Sequence, residues 1–155
     1  MISLQLMAYM VYSLPLAFFP QVAFQKGISY GWIGLILSIY ALGQILSGIV
    51  ISRFLDSMDR RSLLYWNIIL SSVTVAGFGC INLINNHTLY VIFGCVFRFL
   101  SGFIEGAIAT ILFAYIPILY PESISQKQAY FETAFGLASI LGSVFGGLIY
   151  NLIGF

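Results

Sequence analysis

Charged side chains are what this chain has least of. Its 155 residues include six Lys or Arg and five Asp or Glu, 7% in all, where a soluble domain carries about 25%. So few charges cannot solvate a globular surface of this size. They also leave no basic patch fit for nucleic acid, since Arg60-Arg61 is too small for that role. Cysteine and histidine are as scarce: Cys80, Cys95 and His87 are the full set. The spacing of the two cysteines is no metal motif, and they read as small buried apolar side chains. His87 reads as a loop residue rather than a ligand. The sequence has no zinc-metalloprotease motif, nucleophile elbow or phosphate-binding loop. No enzyme activity, cofactor or metal is expected.

What the chain has instead is apolar length. It is 61% hydrophobic with a mean hydropathy of +1.01, and its charges fall mostly between continuous apolar runs. A helix of about 20 residues crosses a hydrocarbon core of about 30 Å. Lipid supplies no hydrogen-bond partners, so each run must bond internally, and runs of helix-spanning length without alternation exclude a barrel. The expected fold class is all-α, a multi-pass transmembrane helical bundle forming one domain over 1–155. Its five spans are expected at about 4–24, 30–51, 62–81, 89–117 and 129–152. Pro15 and Pro20 should bend or break the first, and the fourth apolar region, longer than one bilayer thickness, should either tilt or emerge at Pro117. Arg53, Arg60, Arg61 and Lys127 lie in the second-to-third and fourth-to-fifth connections, opposite Lys26. The positive-inside rule puts those connections and the N-terminus in the cytoplasm. The protein is therefore expected to be an integral membrane protein whose solvent is the lipid bilayer. Asn86-His87-Thr88, on the other side, matches the acceptor pattern for N-glycosylation.

Two charges sit inside a span. Arg98 and Glu105 are seven residues apart, two helical turns, and so share one helix face at an axial separation of roughly 10 Å. A charge in lipid is expensive and faces a neighbouring helix, a partner charge or a water-filled path. The pair reads either as a packed ion pair, or snorkelling to an interface, or as the lining of a path along which Glu105 takes up and releases a proton. Gly102 and Gly106, and again Gly142 and Gly146, have the small-xxx-small spacing of close helix packing. Glu132, near the start of the last span, is a candidate for a helix cap or a functional carboxylate.

The stretch Ser52-Arg53-Phe54-Leu55-Asp56-Ser57-Met58-Asp59-Arg60-Arg61 resembles the signature loop between helices two and three of the major facilitator superfamily. Asp56, Arg60 and Arg61 match, whereas Ser52 and Asp59 replace glycines and Ser57 replaces a basic residue. Arg98-Phe99-Leu100-Ser101-Gly102 resembles the family's arginine-x-x-x-glycine motif in helix four. Gly142-Ser143-Val144-Phe145-Gly146-Gly147 is similar to the fifth-helix motif of its antiporters, with Ser143 in place of proline. Leu14-Pro15-Leu16, Ile33-Gly34-Leu35 and Tyr40-Ala41-Leu42-Gly43-Gln44 resemble the first two helices of drug and vesicular-amine exporters.

The resemblance covers nearly the whole sequence but five of the family's usual twelve helices, so the domain is expected to be incomplete relative to a full carrier. It implies a membrane transporter of a small solute, with proton-coupled export and an organic cation as candidates for coupling and cargo. Asp56, Arg60 and Arg61 would form a cytoplasmic gating loop, Arg98 would serve coupling or packing, and Gly142, Gly146 and Gly147 would shape the fifth helix. A central cavity needs two halves, so a second half-carrier or the remainder of the chain is the implied partner. The competing expectation is a non-transporting truncated paralogue or assembly partner.

Overall fold

The structure is a computed structural model that describes residues 2–55, 57 and 59–153. The described residues form six α-helices: α1 Ile2–Ser13, α2 Phe19–Gln25, α3 Tyr30–Phe54, α4 Arg60–Cys80, α5 His87–Leu119 and α6 Ile124–Ile153. Short 3₁₀ turns, Pro15–Ala17 and Ile81–Leu83, follow α1 and α4. Among the described residues, five segments are long and apolar enough to cross a membrane: Leu6–Gln25, Tyr30–Phe54, Arg60–Leu83, His87–Leu119 and Ile124–Leu152. The protein is an integral, multi-pass, all-α membrane bundle.

The first span is two helices because of its prolines. Pro15 has no N–H to give to the preceding turn, so α1 stops at Ser13, a 3₁₀ turn follows, and Pro20 sits in the first turn of α2, where no donor is missed. Glycine ends α2. Gly27 has φ +81°, and its N–H bonds Phe24 at 2.9 Å while that of Ile28 bonds Ala23 at 3.1 Å, the pairing of a Schellman cap. A Cβ at Gly27 would also lie 3.2 Å from His87 Cε1. Gly27→Ala is therefore expected to destabilise the protein by about 1 kcal/mol or more, since it adds left-handed strain to that contact. A thermal-shift measurement on the purified chain checks it.

The polar ends are helical where the apolar pattern alone does not reach. Asp59 accepts the Ser62 N–H at 3.1 Å and starts α4 at Arg60. Asn86 accepts from Thr88 and Leu89 at 3.0 and 3.3 Å, so the asparagine of the glycosylation pattern is the cap of α5. α6 begins at Ile124 rather than near 129, and its first turn carries Gln126, Lys127 and Gln128. The Lys127 ammonium lies over the rings of Tyr120 and Tyr130 at 4.9 and 5.5 Å, which lets this turn emerge at an interface. α5 continues two residues past Pro117.

α5 is the central helix: half of its most apolar window is buried, against 22–28% for the other four spans. It packs on α3 and α4, and α1 packs on α6. Two apolar clusters fill the bundle. One, at the end holding the α2–α3 turn, contains Phe19, Ile28, Ile36, Phe78 and Tyr90. The other contains Ile104, Ile108, Leu112, Ile116 and Phe131. The outward faces carry Leu42, Ile45, Ile69, Val73, Leu137 and Ile140, all exposed, as a lipid-facing surface should. Cys80 is also exposed and Cys95 half-buried, which corrects the expectation that both cysteines are buried.

Candidate functional site

Glycine allows the site to form. α3 and α5 cross where neither has a side chain in the way: a Cβ at Gly102 would collide with the Tyr40 carbonyl, and one at Gly106 would meet Gln44 O at 2.9 Å. From the other helix, a Cβ at Gly43 would meet the Phe99 carbonyl and Phe103 N, the latter at 2.9 Å. This contact seats Tyr40 beside α5, and its hydroxyl donates to Glu105 Oε2 at 2.8 Å. α1 and α6 meet in the same manner. Gly142 faces Met10 and Ser13, Gly146 faces the Leu14 carbonyl, and Ser13 Oγ donates to the Ala138 carbonyl at 3.2 Å. Gly147 does not join this packing, because nothing lies within 4 Å of the position its Cβ would take.

Arg98 and Glu105 both point inward and are each 3% exposed. They do not form a salt bridge with each other, and Arg98 does not snorkel. Its guanidinium lies over Phe78 at 4.5 Å and over Tyr12 at 5.7 Å, and its Nε and Nη2 have no hydrogen-bond partner. Tyr12 stacks on Tyr40, the ring centroids 4.0 Å apart. The rings of Tyr12 and Tyr40 thus stand between a buried cation and a buried carboxylate. These four residues, from α1, α3 and α5, form a polar layer between the two apolar clusters.

One turn further toward the α4 start lies a second polar layer. Gln44 Nε2 donates to the Tyr9 hydroxyl at 3.2 Å, and Tyr9 meets Phe135 edge-on at 4.4 Å. Beside them is a recess of about 220 Å³ lined by Tyr9, Gln44, Phe113, Phe131, Glu132 and Phe135. Glu132 lies eight residues beyond the first residue of α6, too far along to cap it. Its exposed carboxylate belongs to the recess instead. Ser47, one further turn along α3, has a buried hydroxyl with no partner.

At the expected gating loop, Asp56 lies outside the described residues. Arg60 stands over the Tyr115 ring of α5 at 6.0 Å, and Arg61 is exposed. Sequence reading singles out Arg98, Glu105 and Glu132 but does not bring Tyr12 or Tyr40 to them. The signal that could have found them is polar recurrence at helical spacing: Tyr9 with Tyr12 and Ser13 on α1, and Tyr40, Gln44 and Ser47 on α3. No group of three or more His, Cys, Asp or Glu able to hold a metal occurs among the described residues.

The Major Facilitator Superfamily profile matches residues 1–155. The chain is similar to the MFS-type transporter SLC18B1 of Mus musculus, 25% identical over 153 residues, which is 99% of this chain and 33% of that protein. The namesakes in Rattus norvegicus and Homo sapiens are likewise 25% identical over 99% of this chain and 34% of their own lengths. The chain thus spans about a third of the length of the curated relatives it matches. These are carriers, not enzymes. No solved structure matches the chain.

Proposed function

The chain belongs to the Major Facilitator Superfamily, and we propose that it is the first part of a carrier that moves a small solute across the membrane with proton coupling at Glu105. The observation that supports this is a carboxylate 3% exposed in the middle of the central helix, bonded to Tyr40 and lacking a salt bridge to the nearby Arg98. Such a group is costly in lipid, and a structural ion pair would neutralise it. Coupling needs a carboxylate that a passing solute or proton can reach and discharge.

An organic cation is the solute class that fits these groups. The aromatic recess around Glu132 offers cation–π contacts, and Glu105 and Glu132 supply the counter-charges. Asp56, Arg60 and Arg61 act as the cytoplasmic gate, and the Arg60–Tyr115 contact supports that role, because it ties the start of α4 to α5. Five spans cannot close a central cavity by themselves. The remainder of the chain, or a second half-carrier, supplies the opposite wall.

The test is a vesicle assay on the complete reading frame that contains this chain, with a panel of amines and sugars and an imposed pH gradient. Uptake should follow the gradient in the parent and lose that dependence in Glu105→Gln. Correctly inserted protein that moves no solute, or a Glu105→Gln variant that still follows the gradient, would sink the proposal.

A further inference from the structure

The end of the bundle farthest from Arg60 and Arg61 holds a charged group that the transport reading does not use. Lys26, at the C-cap of α2, reaches across to the connection after α4. Its ammonium donates to the Asn82 carbonyl and, at 3.1 Å, to the Ile84 carbonyl, and it lies over the Tyr90 ring at 5.3 Å. An ammonium has three protons, and the two carbonyls take two. One proton remains, and Lys26 lines a recess of about 200 Å³ together with Asn85, His87 and Tyr90. The exposed His87 side chain lies beside the Gly27 turn, its Cε1 3.2 Å from where a Cβ at Gly27 would stand. Lysine, histidine, an amide and a phenol all present hydrogen-bond donors.

Among the described residues, no carboxylate side chain opposes them. Asp59 lies between α3 and α4, Glu105 in the mid-span layer, Glu122 between α5 and α6, and Glu132 in the recess beside Tyr9. The side chains that line the Lys26 recess include no carboxylate.

The surroundings add a second element. A larger recess of about 430 Å³ adjoins the first, sharing Ile28 and His87, with Trp32, Val91 and Ile92 as apolar walls. Trp32 is 53% exposed, and the exposed Tyr30 stacks on Phe24 at 4.7 Å. Exposed aromatic rings at the end of a membrane helix mark the headgroup level. The smaller recess has room for about six water-sized groups, enough for a tetrahedral oxyanion.

We propose that the recess between Lys26 and His87 binds a phosphate group. The Lys26 ammonium and the His87 and Asn85 donors take its oxygens, and the adjoining apolar recess accepts whatever the phosphate is esterified to. The phosphate comes either from a lipid headgroup at this level of the bilayer or from free inorganic phosphate. The site does not depend on transport and can be tested on this chain alone.

The two tryptophans are Trp32 and Trp66, so Trp66→Phe leaves Trp32 as a single reporter in the wall of the adjoining recess. The purified chain carrying that change, in a neutral detergent, is titrated with dihexanoyl phosphatidic acid, with dihexanoylglycerol and with inorganic phosphate. Phosphatidic acid should shift Trp32 emission saturably and dihexanoylglycerol should not. Lys26→Gln and His87→Gln should each weaken the apparent Kd by about tenfold or more, the size expected for a lost charge-assisted or buried hydrogen bond. Saturation by inorganic phosphate at similar concentration identifies a free oxyanion as sufficient, and saturation by the lipid alone identifies the headgroup. Three results overturn the proposal: no saturation by either phosphate, equal saturation by the neutral lipid, or parental affinity in His87→Gln. That last variant leaves the Lys26 contacts in place, so it decides the matter even where Lys26→Gln fails to fold.

Discussion

Gly102→Leu should leave almost no folded protein, while Gly147→Leu on the neighbouring α6 should fold like the parent. The difference lies in what the new side chain meets. At Gly102 even a Cβ would overlap the Tyr40 carbonyl, and a Cβ 2.9 Å from Tyr40 C and 3.1 Å from its Cα has no flexible neighbour to push aside. The obstacle is the backbone of α3. Helix packing in lipid has no hydrophobic driving force to oppose separation and rests on close van der Waals fit. Prying α3 from α5 therefore removes the contact itself. The cost should be about 3 kcal/mol or more, at the upper end of overpacking penalties, and Gly102→Ala should show a smaller part of it. Gly147 faces open space, and an exposed substitution there should stay within about 0.5 kcal/mol. The yield of monodisperse protein and its melting temperature in detergent separate the two. Equal behaviour of Gly102→Leu and Gly147→Leu would mean that α3 and α5 do not meet at Gly102. Because Gly102 also seats Tyr40 beside Glu105, any protein recovered from Gly102→Ala should show weakened proton dependence in the vesicle assay.

The spans were legible because membrane length and apolar composition act through single helices, each readable from its own residues. The ends were less so. The first turn of α6 contains Gln126, Lys127 and Gln128, and a hydropathy pattern ends where polarity begins, whereas the helix ends where its hydrogen bonds do. Arg98 and Glu105 were legible as a pair because their spacing lies within one helix. Their lack of a direct bond was not, since it depends on Tyr40 and Tyr12 coming between them from two other helices. The glycine pairs announced close packing without naming what they pack against. The fifth-helix motif holds both Gly146 and Gly147, but Gly146 shares a face with Gly142 and meets Leu14, whereas no atom lies within 4 Å of the position a Gly147 Cβ would take. Lys26 looked like the lone charge of a short turn. Its role at Asn82 and Ile84 depends on a contact across 56 residues of chain, which no local pattern encodes.

Arg98→Met should abolish coupled transport without destabilising the protein. A guanidinium 3% exposed, with Nε and Nη2 unbonded, is a poor contributor to stability. Burial strips its hydration, and the rings of Phe78 and Tyr12 return only part of that through cation–π contact. Replacing an unpaired buried charge by an apolar side chain of similar reach removes a desolvation cost of roughly several kcal/mol without breaking an ion pair. Methionine keeps the packing on Phe78 and removes the unbonded donors, so the melting temperature in detergent should hold or rise. Transport should fall by at least about tenfold, the loss expected when a charged group no longer meets its partner at a critical step. Glu105→Gln separates charge from shape within the same layer: the amide still accepts the Tyr40 hydroxyl, so stability should again hold while proton dependence disappears. A layer that served packing alone would give the opposite pattern, with stability and transport declining together in Arg98→Met. Arg98→Lys sharpens the distinction. It restores the charge but not the planar face that lies on Phe78, so partial recovery of transport would assign the role to charge, and none would assign it to the stacked geometry.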